Sequence, residues 1–110
     1  MATRSNIHFD QRGTTYANVY VHYDGYPENR VPELNEFLAD VKAKCKDTRF
    51  SDAEYLAAKF IVWYADKVKS DNNLDFLGIG VCTEDHGDID YIYTVDCTAG
   101  EPTIAYKKAE

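Results

Sequence analysis

Three groups of residues in this chain have types that could do chemistry. His8 and His22 sit on two neighbouring alternating segments and invite a shared metal ion. If Asp10 pairs near Thr15 across the intervening turn, His8 falls opposite Ala17. At about 3.4 Å per residue the two imidazoles are then about 17 Å apart, well beyond a common ion. The acidic turn Glu84, Asp85, His86, Asp88, Asp90 offers oxygen ligands for a hard cation. It lacks the glycine and the closing glutamate of a calcium-binding loop, so it reads as a solvated hairpin tip. Asp24, beside His22 and Tyr26, has the makings of an acid–base group, but no nucleophile or oxyanion donor accompanies it. An aspartate that opens a turn before Gly25 explains it better. Gly78-Ile79-Gly80 lies inside a strand-like run and opens no helix, so it is not a dinucleotide loop. No phosphate loop, zinc spacing or nucleophile elbow is present. The expectation is a non-enzymatic protein with no metal and no cofactor.

Cysteine usage and charge narrow the setting. Cys45, Cys82 and Cys97 form no CxxC pair and leave one over, which suits a reducing compartment. Cys82 and Cys97 are expected on neighbouring strands as small apolar residues, and Cys45 as a surface thiol between Lys44 and Lys46. With no signal peptide and no apolar run of membrane-spanning length, the reading is a soluble protein of a reducing cytoplasm. The net charge of −7 argues against direct binding to nucleic acid or an anionic membrane. The charge is also lopsided. Residues 71–106 hold eight acids (Asp71, Asp75, Glu84, Asp85, Asp88, Asp90, Asp96 and Glu101) and no Lys or Arg, whereas Lys42, Lys44, Lys46 and Arg49 cluster earlier.

The elements that position these groups follow from periodicity. Residues 5–10 alternate, with Ile7 and Phe9 on one side. Residues 15–23 alternate again, with Ala17, Val19, Val21 and Tyr23 opposite Tyr16, Asn18, Tyr20 and His22. With Gly13 between them, the two runs predict an antiparallel hairpin. Its second face is aromatic and polar, which points to partial cover by a loop, a ligand or a partner. Pro32 fits the first turn of a helix over 32–43 that carries Leu34, Phe37, Leu38 and Val41. The dominant segment is 51–70, where Ser51 and Glu54 form a capping box. There Ala53, Leu56, Ala57, Phe60, Ile61, Trp63, Tyr64 and Val68 gather on one helical face. Three strands follow, over 76–82, 90–96 and 103–106. In the first, Gly78 and Gly80 share a face against which the central helix is expected to lie. The whole is one domain, residues 1–110, of α+β class. It is a two-layer sandwich in which an antiparallel sheet of about five strands, ordered ββααβββ, carries two helices on one face.

The opening Thr3-Arg4-Ser5-Asn6-Ile7, the strand end His22-Tyr23-Asp24-Gly25-Tyr26-Pro27-Glu28 and the late Gly87-Asp88-Ile89-Asp90-Tyr91-Ile92-Tyr93 resemble a family of small proteins common in phages and prophages. The resemblance implies a phage context, and with it an accessory protein that disables a host defence. It transfers no catalytic or binding residue.

Two functional expectations result. In the first, the chain inhibits a bacterial defence system, as an anti-CRISPR protein does, by occupying the basic surface of a nucleic-acid-binding host protein. Its docking residues would be Glu84, Asp85, Asp88, Asp90 and Asp96, with Tyr91 and Tyr93 as anchors, on a monomer or homodimer. In the second it binds a small molecule such as a signalling nucleotide through Arg4, Tyr16, Tyr20, His22, Tyr26 and Arg30.

Overall fold

The computed structural model describes residues 3–22, 25–44, 52–68, 78–99 and 101–109. The alternating first segments form β1 (Ser5–Gln11) and β2 (Thr14–Val21), paired antiparallel. Asp10 pairs with Thr15 as expected, but the register then shifts by one residue, so that His8 faces Asn18 rather than Ala17. The reason is facial. Without the bulge, apolar residues of β1 would lie opposite polar residues of β2; with it, Ile7 meets Val19 and Phe9 meets Ala17. The connecting turn holds Arg12 at φ 52° and Gly13 at φ 78°, the two left-handed positions of a type I′ hairpin. Arg12 is a poor residue for that conformation. Arg12→Asn is expected to stabilise the fold by about 0.5–1 kcal/mol, read as a higher urea midpoint at unchanged slope.

The first helix, α1 (Pro27–Lys44), begins five residues before the expected start. Pro27, rather than Pro32, occupies its first turn, and the carbonyl of Tyr26 accepts from Asn29 and Arg30 N–H. Pro32 is inside the helix but exposed, as is Glu28 one turn back, whose carbonyl can turn to water. The second helix is α2 (Ala53–Val68). Its cap is Asp52, whose Oδ1 accepts from Glu54 N at 3.1 Å and Tyr55 N at 3.5 Å. The expected cap Ser51 lies outside the described residues. Ala53, Leu56, Ala57, Phe60 and Tyr64 are buried as the periodicity requires, with Ile61 and Trp63 half-buried. Phe60 is the hub, with Phe9, Phe37, Trp63 and Tyr64 all within 6.3 Å, centroid to centroid. The Trp63 indole donates to Asp40 at 2.8 Å and so joins the two helices.

The remaining strands are β3 (Ile79–Val81), β4 (Tyr91–Asp96) and β5 (Thr103–Lys108), and the sheet order is β3-β2-β1-β4-β5. The fold is α+β, a two-layer sandwich of ββααβββ order with both helices packed on the face that carries Ile7, Phe9, Val19, Val21, Tyr93 and Val95. The sheet is mixed rather than wholly antiparallel. Three pairings are antiparallel, but β1 and β4 are parallel neighbours. That pairing decides the path of the chain. β3 and β4 run in the same direction on opposite sides of the β2–β1 pair, so no hairpin can join them. The residues that link them, 82–90, cross the helix-free face of the sheet as a strap.

Two other expectations change for the same reason. Cys82 and Cys97 follow strands separated by β2 and β1, so they are not neighbours. Cys97 is buried; desolvation first, then the charges of Asp96, Asp52 and Asp10, push its thiol up to about 11, which leaves it unreactive. Gly80 pairs with Tyr20 on the helix-free side, where an added Cβ would meet nothing within 4 Å; no helix lies across it. Cys45 and the expected strand residues 76 and 77 lie outside the described residues.

Candidate functional site

The helix-free face is built from the alternate residues of the central strands. Asn6 and His8 come from β1, Asn18 and Tyr20 from β2, and Ile92 and Thr94 from β4, in register across the sheet. The side chains that strand alternation placed opposite the core are therefore a floor that is polar at each of these positions but Ile92, and the strap is its roof. Both ends of the strap are held by backbone bonds, Cys82 N to Asn18 O at 3.0 Å and Asp90 N to Arg4 O at 2.8 Å.

Between those ends the contacts are polar or aromatic. Asp85 Oδ1 lies 2.6 Å from His8 Nε2 and accepts from Asn18 Nδ2 at 2.9 Å. Asn6, fully buried, accepts the His86 backbone N–H at 3.2 Å and donates to Asn18 Oδ1 at 2.6 Å and Cys82 Sγ at 3.3 Å. The His86 ring stacks on Tyr20 at 3.9 Å between centroids with only 10° between planes. Tyr20 Oη in turn lies 3.0 Å from His22 Nδ1. Asp88 Oδ2 is 3.4 Å from the Arg4 Nε, and Asp90 Oδ2 accepts from Arg4 N at 3.4 Å. All three histidines of the chain thus stand on one face.

The electrostatics follow these contacts. Partial desolvation opposes ionisation of Asp85, but hydrogen bonds from His8 and Asn18, with the charges of His8 and Lys107, outweigh it and hold its carboxyl below the ordinary range. Burial first, and then the Asp88 carboxylate, push the Tyr20 hydroxyl up, against the pull of the Arg4 guanidinium that hydrogen bonds to it. At the far end of the same face, Asp96 is held low by hydrogen bonds from the Thr98 hydroxyl and N–H.

The structure redistributes both candidate sets. Glu84, Asp85, Asp88, Asp90 and Asp96 belong to the strap or the helix-free face, but they do not form a simple solvated tip: Asp85 and Asp88 are engaged by His8 and Arg4. Tyr91 and Tyr93 point the other way. Tyr93 is fully buried in the core and donates to the Gly25 carbonyl, and Tyr91 packs against the core beside Tyr26. They cannot anchor a partner on the acidic side, because strand alternation puts odd and even residues of β4 on opposite faces. Of the second set, Arg4, Tyr20 and His22 come together. Tyr16 is exposed at the bulge near the other end of β2, Tyr26 is exposed at the start of α1, and Arg30 is buried under α1.

Sequence reasoning missed His8, Asn6, Asn18, Cys82 and His86 as members of one cluster. The signal available was the polar, uncharged face of the hairpin, which required cover. Among the described residues no group of three or more His, Cys, Asp or Glu is placed to hold a metal ion, and no helix is long and apolar enough to cross a membrane. No protein-family model, curated protein or solved structure matches the chain.

Proposed function

We propose that this protein is a non-enzymatic binding protein that docks a basic, nucleic-acid-binding surface with the acidic, strap-bearing face of its sheet, and that it serves a phage as an inhibitor of a host defence complex, in the manner of an anti-CRISPR protein. The observation that carries this reading is the gathering of Glu84, Asp85, Asp88, Asp90 and Asp96 on the face that no helix covers. Carboxylates held by His8 and Arg4 keep fixed positions, and fixed charge orients an encounter better than mobile charge does. The outward groups on this reading are Glu84 and Asp90, both exposed. Tyr91 and Tyr93 have no part in it.

The test is a paired reversal, Glu84→Lys with Asp90→Lys. It spares the Asp85 and Asp88 contacts and the backbone bond from Asp90 N–H to the Arg4 carbonyl, and gives up one side-chain contact, Asp90 Oδ2 with Arg4 N at 3.4 Å. In bacteria defended by a CRISPR system, the unmodified protein is expected to raise the efficiency of phage plaquing, and the reversal to abolish the gain. With the purified effector complex, inhibition of DNA binding is expected to weaken as salt rises, because exposed charges are screened over about 10 Å at 0.1 M. Inhibition that survives the reversal, or an unmodified protein without effect on DNA binding at low salt, would sink the reading.

A further inference from the structure

The strap covers the polar floor with side chains of its own. It places a flat heteroaromatic ring, His86, on the face of Tyr20, with one carboxylate on either side: Asp85 at His8 and Asn18, and Asp88 at Arg4. A flat heterocycle accompanied by anionic oxygens is also what a nucleotide presents, with phosphate in place of carboxylate. From this correspondence we infer that the face beneath the strap is a nucleotide site, closed by the chain's own residues when empty. The occupant is a nucleotide that carries phosphate on both sides of its nucleoside. Its base takes the place of His86 on Tyr20, one phosphate replaces Asp88 at Arg4, and the other replaces Asp85 at His8 and Asn18. The site shares the strap with the docking role of Glu84 and Asp90, but neither of those side chains is replaced by the nucleotide.

Three features of the structure support it. Residues 83–88 are all exposed, and Ile89 is the one half-buried aliphatic side chain of the strap, so little apolar burial holds the roof down. Gly87, at the middle of the strap, has open space around it and can hinge, while the backbone bonds at Cys82 and Asp90 keep the ends fixed. Gly80, beside Tyr20 on the same face, leaves room that any larger residue would fill. Beneath the strap, the Asn6 and Asn18 amides supply donors and acceptors for a base edge, and Asn6 is fully buried until the strap lifts.

Arg4, the residue before β1, and His8, within it, stand on either side of Asn6, four residues apart, which favours phosphates on two sides over a chain of phosphates on one. The closed strap lowers the apparent affinity by the fraction of time that it is open, so weakening it must tighten binding.

The experiment is calorimetric titration of the full chain with adenosine 3′,5′-bisphosphate, alongside ADP and inorganic pyrophosphate. The unmodified protein is compared with His86→Ala/Asp88→Asn, and that variant with the same variant carrying Tyr20→Leu. The weakened strap is expected to bind the bisphosphate about tenfold more tightly than the unmodified chain, and Tyr20→Leu to remove the gain. ADP and pyrophosphate are expected to bind more weakly than the bisphosphate. Equal affinity for pyrophosphate, no gain in the folded strap variant, or a gain that survives Tyr20→Leu each overturns the proposal. Should the strap variant fail to fold, the unmodified chain decides. Millimolar bisphosphate is expected to shift the His86 and Tyr20 ring resonances, and rings that stay unmoved overturn the inference.

Discussion

Replacing Arg30 with alanine is expected to cost about 3 kcal/mol of folding stability, although its charge and sequence position suggest a surface residue. Arg30 lies on the core side of α1 with its side chain 1% exposed, paired one turn on with Glu33 and 6.0 Å from the centre of the Tyr64 ring. Its charge also acts on Tyr93, whose hydroxyl burial drives well above the tyrosine range and the guanidinium draws back. Removing one member of a buried pair leaves the other charge stranded, a loss of about 3–5 kcal/mol. The lower end applies here because Lys67 Nζ, 3.8 Å from Glu33, remains as a second partner. Chemical denaturation of R30A reads the loss as a lower midpoint. The double variant Arg30→Met/Glu33→Gln, which removes both charges and keeps the bulk, is expected to recover more than half of it. A loss under about 1 kcal/mol for R30A would show that the pair is not desolvated.

Gly25→Ala is expected to cost about 2–3 kcal/mol and to lower the melting temperature by about 10 °C or more. An added Cβ would stand 2.6 Å from the Thr3 carbonyl oxygen and 3.1 Å from its carbon, with Ser5 Cβ at 3.3 Å. Two of these three atoms are backbone and cannot rotate away. The same Thr3 carbonyl accepts the Gly25 N–H at 3.0 Å, and the Gly25 carbonyl accepts the buried Tyr93 hydroxyl, so Gly25 is fixed from both sides. Relief of the clash therefore lengthens at least one hydrogen bond in the core. Tyr93→Phe in the G25A background separates the two contributions. If the Tyr93 bond is already weakened by the clash, the second change adds less than it does alone. A G25A protein as stable as the original would mean that the Thr3 segment yields freely.

The sequence made some of this legible and concealed the rest, for reasons visible at particular residues. The core face of α2 was readable because one helix period is a local property, and Leu56, Phe60 and Tyr64 occupy it without help from elsewhere. The same holds for the alternation of β1, β2 and β4. That alternation already placed Tyr91 and Tyr93 away from Asp90 and Asp96, so grouping them as one docking surface conflicted with it. The start of α1 was hidden because Pro27 and Pro32 both fit a first turn, and only the carbonyl of Tyr26 distinguishes them. The bulge after Phe9 was hidden because register depends on which faces meet the helices.

By itself the sequence determined the α+β class, the order ββααβββ, the side chains that fill the core and the polar character of the hairpin's outer face. All of these are set by neighbours within a few residues. The tertiary structure alone decided that β4 lies parallel to β1, and with it that 82–90 crosses the sheet instead of turning. Strand neighbours are chosen by burial summed over the whole sheet, which no local pattern encodes. One such choice turned an apparent hairpin tip into a roof, brought Asp85 to His8 and His86 to Tyr20, and so joined two regions some 70 residues apart into a single site.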